Sequence, residues 1–118
     1  MELKTRSSDN VAVLELTGRF DAYEVLPVHD WLEKAADATK ATASAPAQVV
    51  VNLAGVNFID STGLSTLVQG MKHCRQQGGD LYLCNLKQPV RIIFELTRLD
   101  KAFNIFADED EAVRAFTD

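Results

Sequence analysis

Asp60, Ser61 and Thr62 place a carboxylate and two hydroxyls side by side in the stretch GVNFIDSTGL, residues 55–64. An apolar run over 56–59 precedes them; Gly63 and a helical pattern follow. Several chemistries use such residues, and most need partners that this chain does not supply. A serine nucleophile needs an activating base. Ser61 is not in a G-x-S-x-G elbow, and His29 and His73 fall on predicted helices without a supporting motif. An aspartate phosphoacceptor needs further carboxylates to hold a divalent cation. No acidic pair ends the earlier strand-like segment VAVLELTG. There is no G-x-x-x-x-G-K-[ST], and no G-x-G-x-x-G follows a strand. Cys74 and Cys84 form no C-x-x-C and fall on apolar positions, which reads as core rather than zinc. The acids from Asp108 to Glu111 read as a solvated helix start rather than a metal site.

Capping is the simplest role left. Asp, Ser and Thr all serve well at a helix N-cap, so capping accounts for one of the three. A second role starts from the same geometry. A hydroxyl at an exposed helix N-terminus can be reached by another protein. A phosphate there would face free backbone N–H groups and the positive end of the helix dipole, so the fold should tolerate it. Beside Asp60 it would build a patch of about three negative charges. Such a patch could abolish docking of a partner without unfolding anything.

The elements that position the triplet follow from hydrophobic periodicity. Glu2 to Arg6 is a weak first strand. VAVLELT (11–17) is a second, ended by Gly18. RFDAYEV is a connecting turn in which Asp21 and Glu24 have capping-box spacing. A helix starts near Leu26 with Pro27 in its first turn and carries Val28, Trp31, Leu32, Ala35 and Ala36. A loop of small residues occupies 39–47. The near-continuous apolar run 49–53 suits a central strand covered on both faces. Leu64, Leu67, Val68, Met71 and Cys74 form one face of a second helix, stopped by Gly78-Gly79. DLYLCNL is a strand, Pro89 opens a third helix, AFNIF is a short strand, and DEDEAVRAF is a last helix. The order β-β-α-β-α-β-α-β-α implies a parallel or mixed sheet.

The chain's 118 residues suit one domain, and 47% hydrophobic content can build its core. A net charge of -5 speaks against nucleic acid or an anionic membrane as main partner. No apolar run approaches the roughly 20 residues of a membrane span. MELKTRSSDN lacks the apolar segment of a signal peptide, so the expected location is the cytoplasm.

VNLAGVNFIDSTGL resembles the signature of STAS domains, specifically bacterial anti-sigma factor antagonists. LELTGRFDA is similar to the family's strand and TGxLD turn. QQGGDLYLCNL and PVRIIFELTRLDKAFNIFADEDEAV resemble its later blocks, in the expected order and over essentially the whole chain. The resemblance implies an α/β fold: a single STAS domain over 1–118, with a mixed sheet of four to five strands and about four helices packed mainly on one side. It also implies partner switching. The unphosphorylated antagonist binds an anti-sigma factor that is itself a GHKL-type serine kinase, and so frees a sigma factor. The kinase phosphorylates the antagonist and ends binding; a PP2C-type phosphatase reverses it. Carried over, the acceptor is Ser61, and Asp21, Asp60, Thr62 and Gly63 belong to the partner-binding surface. The resemblance implies no catalysis by this chain; no cofactor, no direct nucleic-acid contact and no membrane are expected. An alternative within the fold is a signalling module that binds a small ligand or nucleotide, or controls a non-sigma output. Two positions depart from the pattern. Phe20 stands where Leu is usual, and Arg98 where Gly is frequent. If position 98 needs a left-handed backbone, arginine there costs about 1 kcal/mol.

Overall fold

The computed structural model describes residues 1–42 and 47–117, with the backbone alone for 38–42. The elements are β1 (Glu2–Ser8), β2 (Val11–Phe20), α1 (Val25–Thr42), β3 (Gln48–Ile59), α2 (Ser61–Gln76), β4 (Asp80–Cys84), α3 (Gln88–Leu96), β5 (Asn104–Phe106) and α4 (Glu109–Thr117). A 3-10 turn, Leu99–Lys101, sits between α3 and β5. This is the predicted order. The five strands line up as β1-β2-β3-β4-β5. β1 pairs antiparallel to β2, and the other pairs are parallel, so the sheet is mixed.

The strand order fixes where the helices go. Each β-α-β step moves one strand in the same direction, so right-handed crossovers put α1, α2 and α3 on one face. There Leu14, Leu16, Val49, Val51, Leu53, Leu81 and Leu83 pack against Leu32, Leu67, Val90 and Phe94. The alternate residues Val11, Val13, Val50 and Cys84 face the other way, and α4 covers them with Ala112 and Val113. The helices are thus mainly on one side, three to one. β3 is covered on both faces, as its apolar run requires.

Several boundaries differ from the periodicity reading. β1 extends to Ser8, drawn out by its full ladder with β2. Gly18 does not end β2: with φ of +119° it lies beside a register shift, and the strand continues to Phe20. Asp21 and Glu24 form no capping box. Asp21 Oδ1 accepts from Tyr23 N (3.1 Å) and its carbonyl accepts from Glu24 N (3.0 Å), making a turn before α1. α1 runs to Thr42, so only part of the expected 39–47 loop remains, and 43–46 lie outside the described residues. β3 continues to Ile59, while β4 stops at Cys84 because Asn85 turns left-handed at φ +59°. Arg98 is also left-handed, at φ +63°. The missing glycine is therefore a local cost of about 1 kcal/mol that the surrounding fold offsets.

The acidic start of α4 is more than a solvated turn. Asp108 Oδ1 caps it by accepting from Glu111 N (2.9 Å). Glu109 accepts from Asn52 Nδ2 (3.0 Å) on β3 and pairs with Arg6 on β1, which also reaches Glu15 Oε1 (3.1 Å) on β2. Burial pushes the Glu109 carboxyl up, but the bonds from Arg6 and Asn52 outweigh it, and it lies below its ordinary 4.5. A depressed carboxyl stabilises the fold above its unfolded pKa, and that contribution is lost as pH falls through the folded value. Glu109→Gln is therefore expected to cost about 1 kcal/mol at neutral pH. The gap to wild type should close on acidification below 4.5. Urea midpoints across pH check this; a gap independent of pH would contradict it.

Candidate functional site

The parallel strands β2 and β3 end side by side, and α1 and α2 start from those ends. Both helices run back along the same face, so their N-termini are neighbours at one end of the sheet. Phe20 and Ile59, paired in register, are buried beneath this end.

Asp60 takes the cap. Its backbone is extended (φ -106°, ψ -176°), and its Oδ1 accepts from Gly63 N at 2.9 Å. The other oxygen, Oδ2, accepts from Ala22 N at 3.1 Å, in the turn before α1. Asp60 N donates to Phe20 O (3.3 Å). One carboxylate therefore ties the start of α2 to the end of β2. The fold occupies both of its oxygens.

Ser61 and Thr62 are the first two residues of α2, and both are exposed. The Ser61 hydroxyl bonds to no group among the described residues. Thr62 contributes its carbonyl, which accepts from Thr66 Oγ1 (2.9 Å). Gly63 is buried. A Cβ there would lie 2.6 Å from Phe20 O and 2.9 Å from Ile59 Cγ1, so only glycine lets α2 approach β2 this closely. The entry of the chain into α2 thus separates the three polar residues by role: Asp60 is structural, and the two hydroxyls face solvent.

Asp21 joins them through the same turn. Besides Tyr23 N, its carboxylate meets Arg19 Nε at 3.5 Å. The Arg19 guanidinium lies 3.9 Å from the Phe58 ring centroid. Asp21 and Asp60, far apart in sequence, therefore each grip a backbone N–H of the 21–24 turn. Periodicity missed Arg19, Tyr23, Leu26 and Phe58 at this end. Tyr23 and Leu26 did carry a signal, since neither belongs to the apolar stripe of α1.

The two histidines meet elsewhere. His29 and His73 line a cleft of about 90 Å³ between α1 and α2, with Leu32, Glu33, Thr66, Gln69 and Gly70. His73 Nε2 lies 2.8 Å from Asp37 Oδ1. Among the described residues no His, Cys, Asp and Glu group is arranged to hold a metal ion, and no helix is long and apolar enough to cross a membrane.

Comparison with known proteins bears on this geometry. The STAS domain family matches residues 2–112. An anti-sigma-B factor antagonist from Staphylococcus aureus is 25% identical over 105 residues, covering 89% of this chain and 92% of that protein. An anti-sigma-factor antagonist (STAS) domain protein from Planctomyces limnophilus superposes with a TM-score of 0.85 at 21% identity, covering 98% of each chain. The Bacillus cell fate determinant SpoIIAA in its phosphorylated form superposes with a TM-score of 0.71 at 20% identity, covering 97% of this chain and 98% of that one. By sequence over nearly its whole length, and by the five-stranded mixed sheet with its four helices, the chain belongs to the STAS domain family.

Proposed function

We propose that the chain is an anti-sigma factor antagonist that works by partner switching in the cytoplasm. In this reading the unphosphorylated form binds a GHKL-type anti-sigma factor and serine kinase, releasing its sigma factor. The kinase then phosphorylates Ser61 and ends the association, and a PP2C-type phosphatase restores it. The observation that carries the reading is the division of labour at the start of α2: Asp60 supplies the cap, which leaves the exposed Ser61 hydroxyl uncommitted. The antagonist names of similar proteins support the general role. A phosphate on Ser61 would meet the positive end of α2, where the first N–H groups have no intrahelical partner. Asp60 and Asp21 act in this reading from within the turn, Thr62 presents a neighbouring exposed hydroxyl, and Gly63 seats the helix. The alternative of a small-ligand or nucleotide module gains nothing from the α1–α2 cleft. Its roughly 90 Å³ falls well short of the about 300 Å³ of common ligand pockets.

Intact mass after incubation with the kinase and ATP tests the proposal. Wild type should gain one phosphate and Ser61→Ala none, with peptide mapping placing the group on Ser61. A phosphate on Thr62, or an unmodified wild-type chain, would overturn it.

A further inference from the structure

An enzyme that reaches the Ser61 hydroxyl must cover the surface around it, and about 800 Å² per partner is usual for a specific complex. The turn held by Asp60 falls inside such a footprint. Its next residue, Tyr23, is 94% exposed, and Leu26, in the first turn of α1, is 68% exposed. Phe58, at the end of β3 under Arg19, is also exposed. Single exposed apolar residues are ordinary. Here, however, three of the five exposed large hydrophobics among the described residues gather at the end that carries Ser61. Nothing in the fold requires an apolar Tyr23 or Leu26. The charges at this end are, by contrast, largely spent inside the molecule. Asp60 gives both oxygens to backbone N–H groups, and Asp21 gives one to Tyr23 N and faces Arg19 with the other.

We propose that Tyr23 and Leu26 are the anchor by which the kinase acting on Ser61 docks, through an apolar pocket on its own surface, while Asp21 and Asp60 act as positioning residues that hold the turn presenting Tyr23. The inference rests on the switch reading above. Its chemistry is that of an interface hot spot: a rigid aromatic with an aliphatic neighbour, buried on association and costing little to order beforehand. The two carboxylates hold the backbone of the turn, which fixes the point from which the exposed Tyr23 side chain departs.

Steady-state phosphorylation with the GHKL-type kinase that modifies Ser61 separates anchor from scaffold. Tyr23→Ala and Leu26→Ala should each raise KM about tenfold or more. Their kcat should stay near wild type and their melting temperatures nearly unchanged, because both side chains are largely exposed. Asp21→Asn keeps an oxygen for the Tyr23 N–H, so it should raise KM by less than Tyr23→Ala does. The opposite ranking, with Asp21→Asn severe and Tyr23→Ala mild, would mean docking by charge and would overturn the proposal. So would a Tyr23→Ala effect confined to self-association, measured by sedimentation, with KM unchanged. Failure of wild type to accept phosphate on Ser61 would instead remove the switch reading itself, and this inference with it.

Discussion

Ser61→Asp is expected to weaken the complex with the kinase about 100-fold or more, equivalent to about 2.7 kcal/mol. The melting temperature should stay within about 2 °C of wild type. Both halves follow from where Ser61 stands. It is the first residue of α2, exposed, with no side-chain bond to lose. A carboxylate there points at the positive helix end, a contact worth about 0.3–1 kcal/mol in favour of the fold. In the complex proposed above the same charge would lie beside Asp60, in an interface that excludes water. Juxtaposed like charges or an unpaired buried charge then cost several kcal/mol. Ser61→Ala adds no charge and should bind like wild type. Calorimetric Kd values and thermal scans on the three proteins decide the matter. A Ser61→Asp protein that melts far below wild type would show the hydroxyl to be structural. One that binds normally would place the switch elsewhere.

The second large effect is expected at Gly63. Gly63→Ala should destabilise the domain by about 2 kcal/mol and weaken partner binding in parallel. Its new Cβ would press on Phe20 O, on Ile59 Cγ1 and, at 3.2 Å, on Phe20 Cγ. The first of these is backbone and is held by Asp60 N, so the neighbour cannot yield easily. Relief requires the first turn of α2 to move away from β2, which stretches the 3.1 Å bond between Asp60 and Ala22. Overpacking costs about 1–3 kcal/mol and the lost bond about 1, while alanine's better helix propensity returns about 1. Urea unfolding measures the stability, and the kinase Kd measures the binding. A stable Gly63→Ala protein that binds weakly would mean that the turn, not the global fold, absorbs the strain. A variant as stable and as tight as wild type would show that α2 has room to spare.

The order of the elements was legible because each carries its own period. The 49–53 run, the Leu64–Leu67–Met71–Cys74 face and Pro89 needed nothing beyond local pattern. What stayed hidden was decided by contacts between distant residues. Asp60, Ser61 and Thr62 are equally good caps in isolation. Asp60 prevails because its second oxygen finds Ala22 N, 38 residues away. Asp21 and Glu24 have capping-box spacing, yet α1 begins after them at Val25, beyond the turn they close. Gly18 looked like a strand end because glycine usually breaks a strand; here it lets β2 shift register and run on to Phe20. Glu109 looked like one acid among several, and only the packing of α4 across the sheet brought Arg6 and Asn52 to it. Arg98 shows the reverse case, where a locally unfavourable residue is carried by a fold that needs a left-handed turn at that point.

The two cysteines bear on what kind of signal the protein can receive. Cys74 is buried beneath α2, and Cys84 lies between β4 and α4 with its Sγ 3.9 Å from Val51 O. Burial, reinforced by nearby carboxylates, pushes both thiols up to about 12. Near neutrality both therefore stay in the thiol form, whereas the thiolate is the form that peroxides and disulfides attack. Neither thiol is therefore a ready target for oxidants while the domain stays folded, so a redox signal read through these cysteines would first have to open the core.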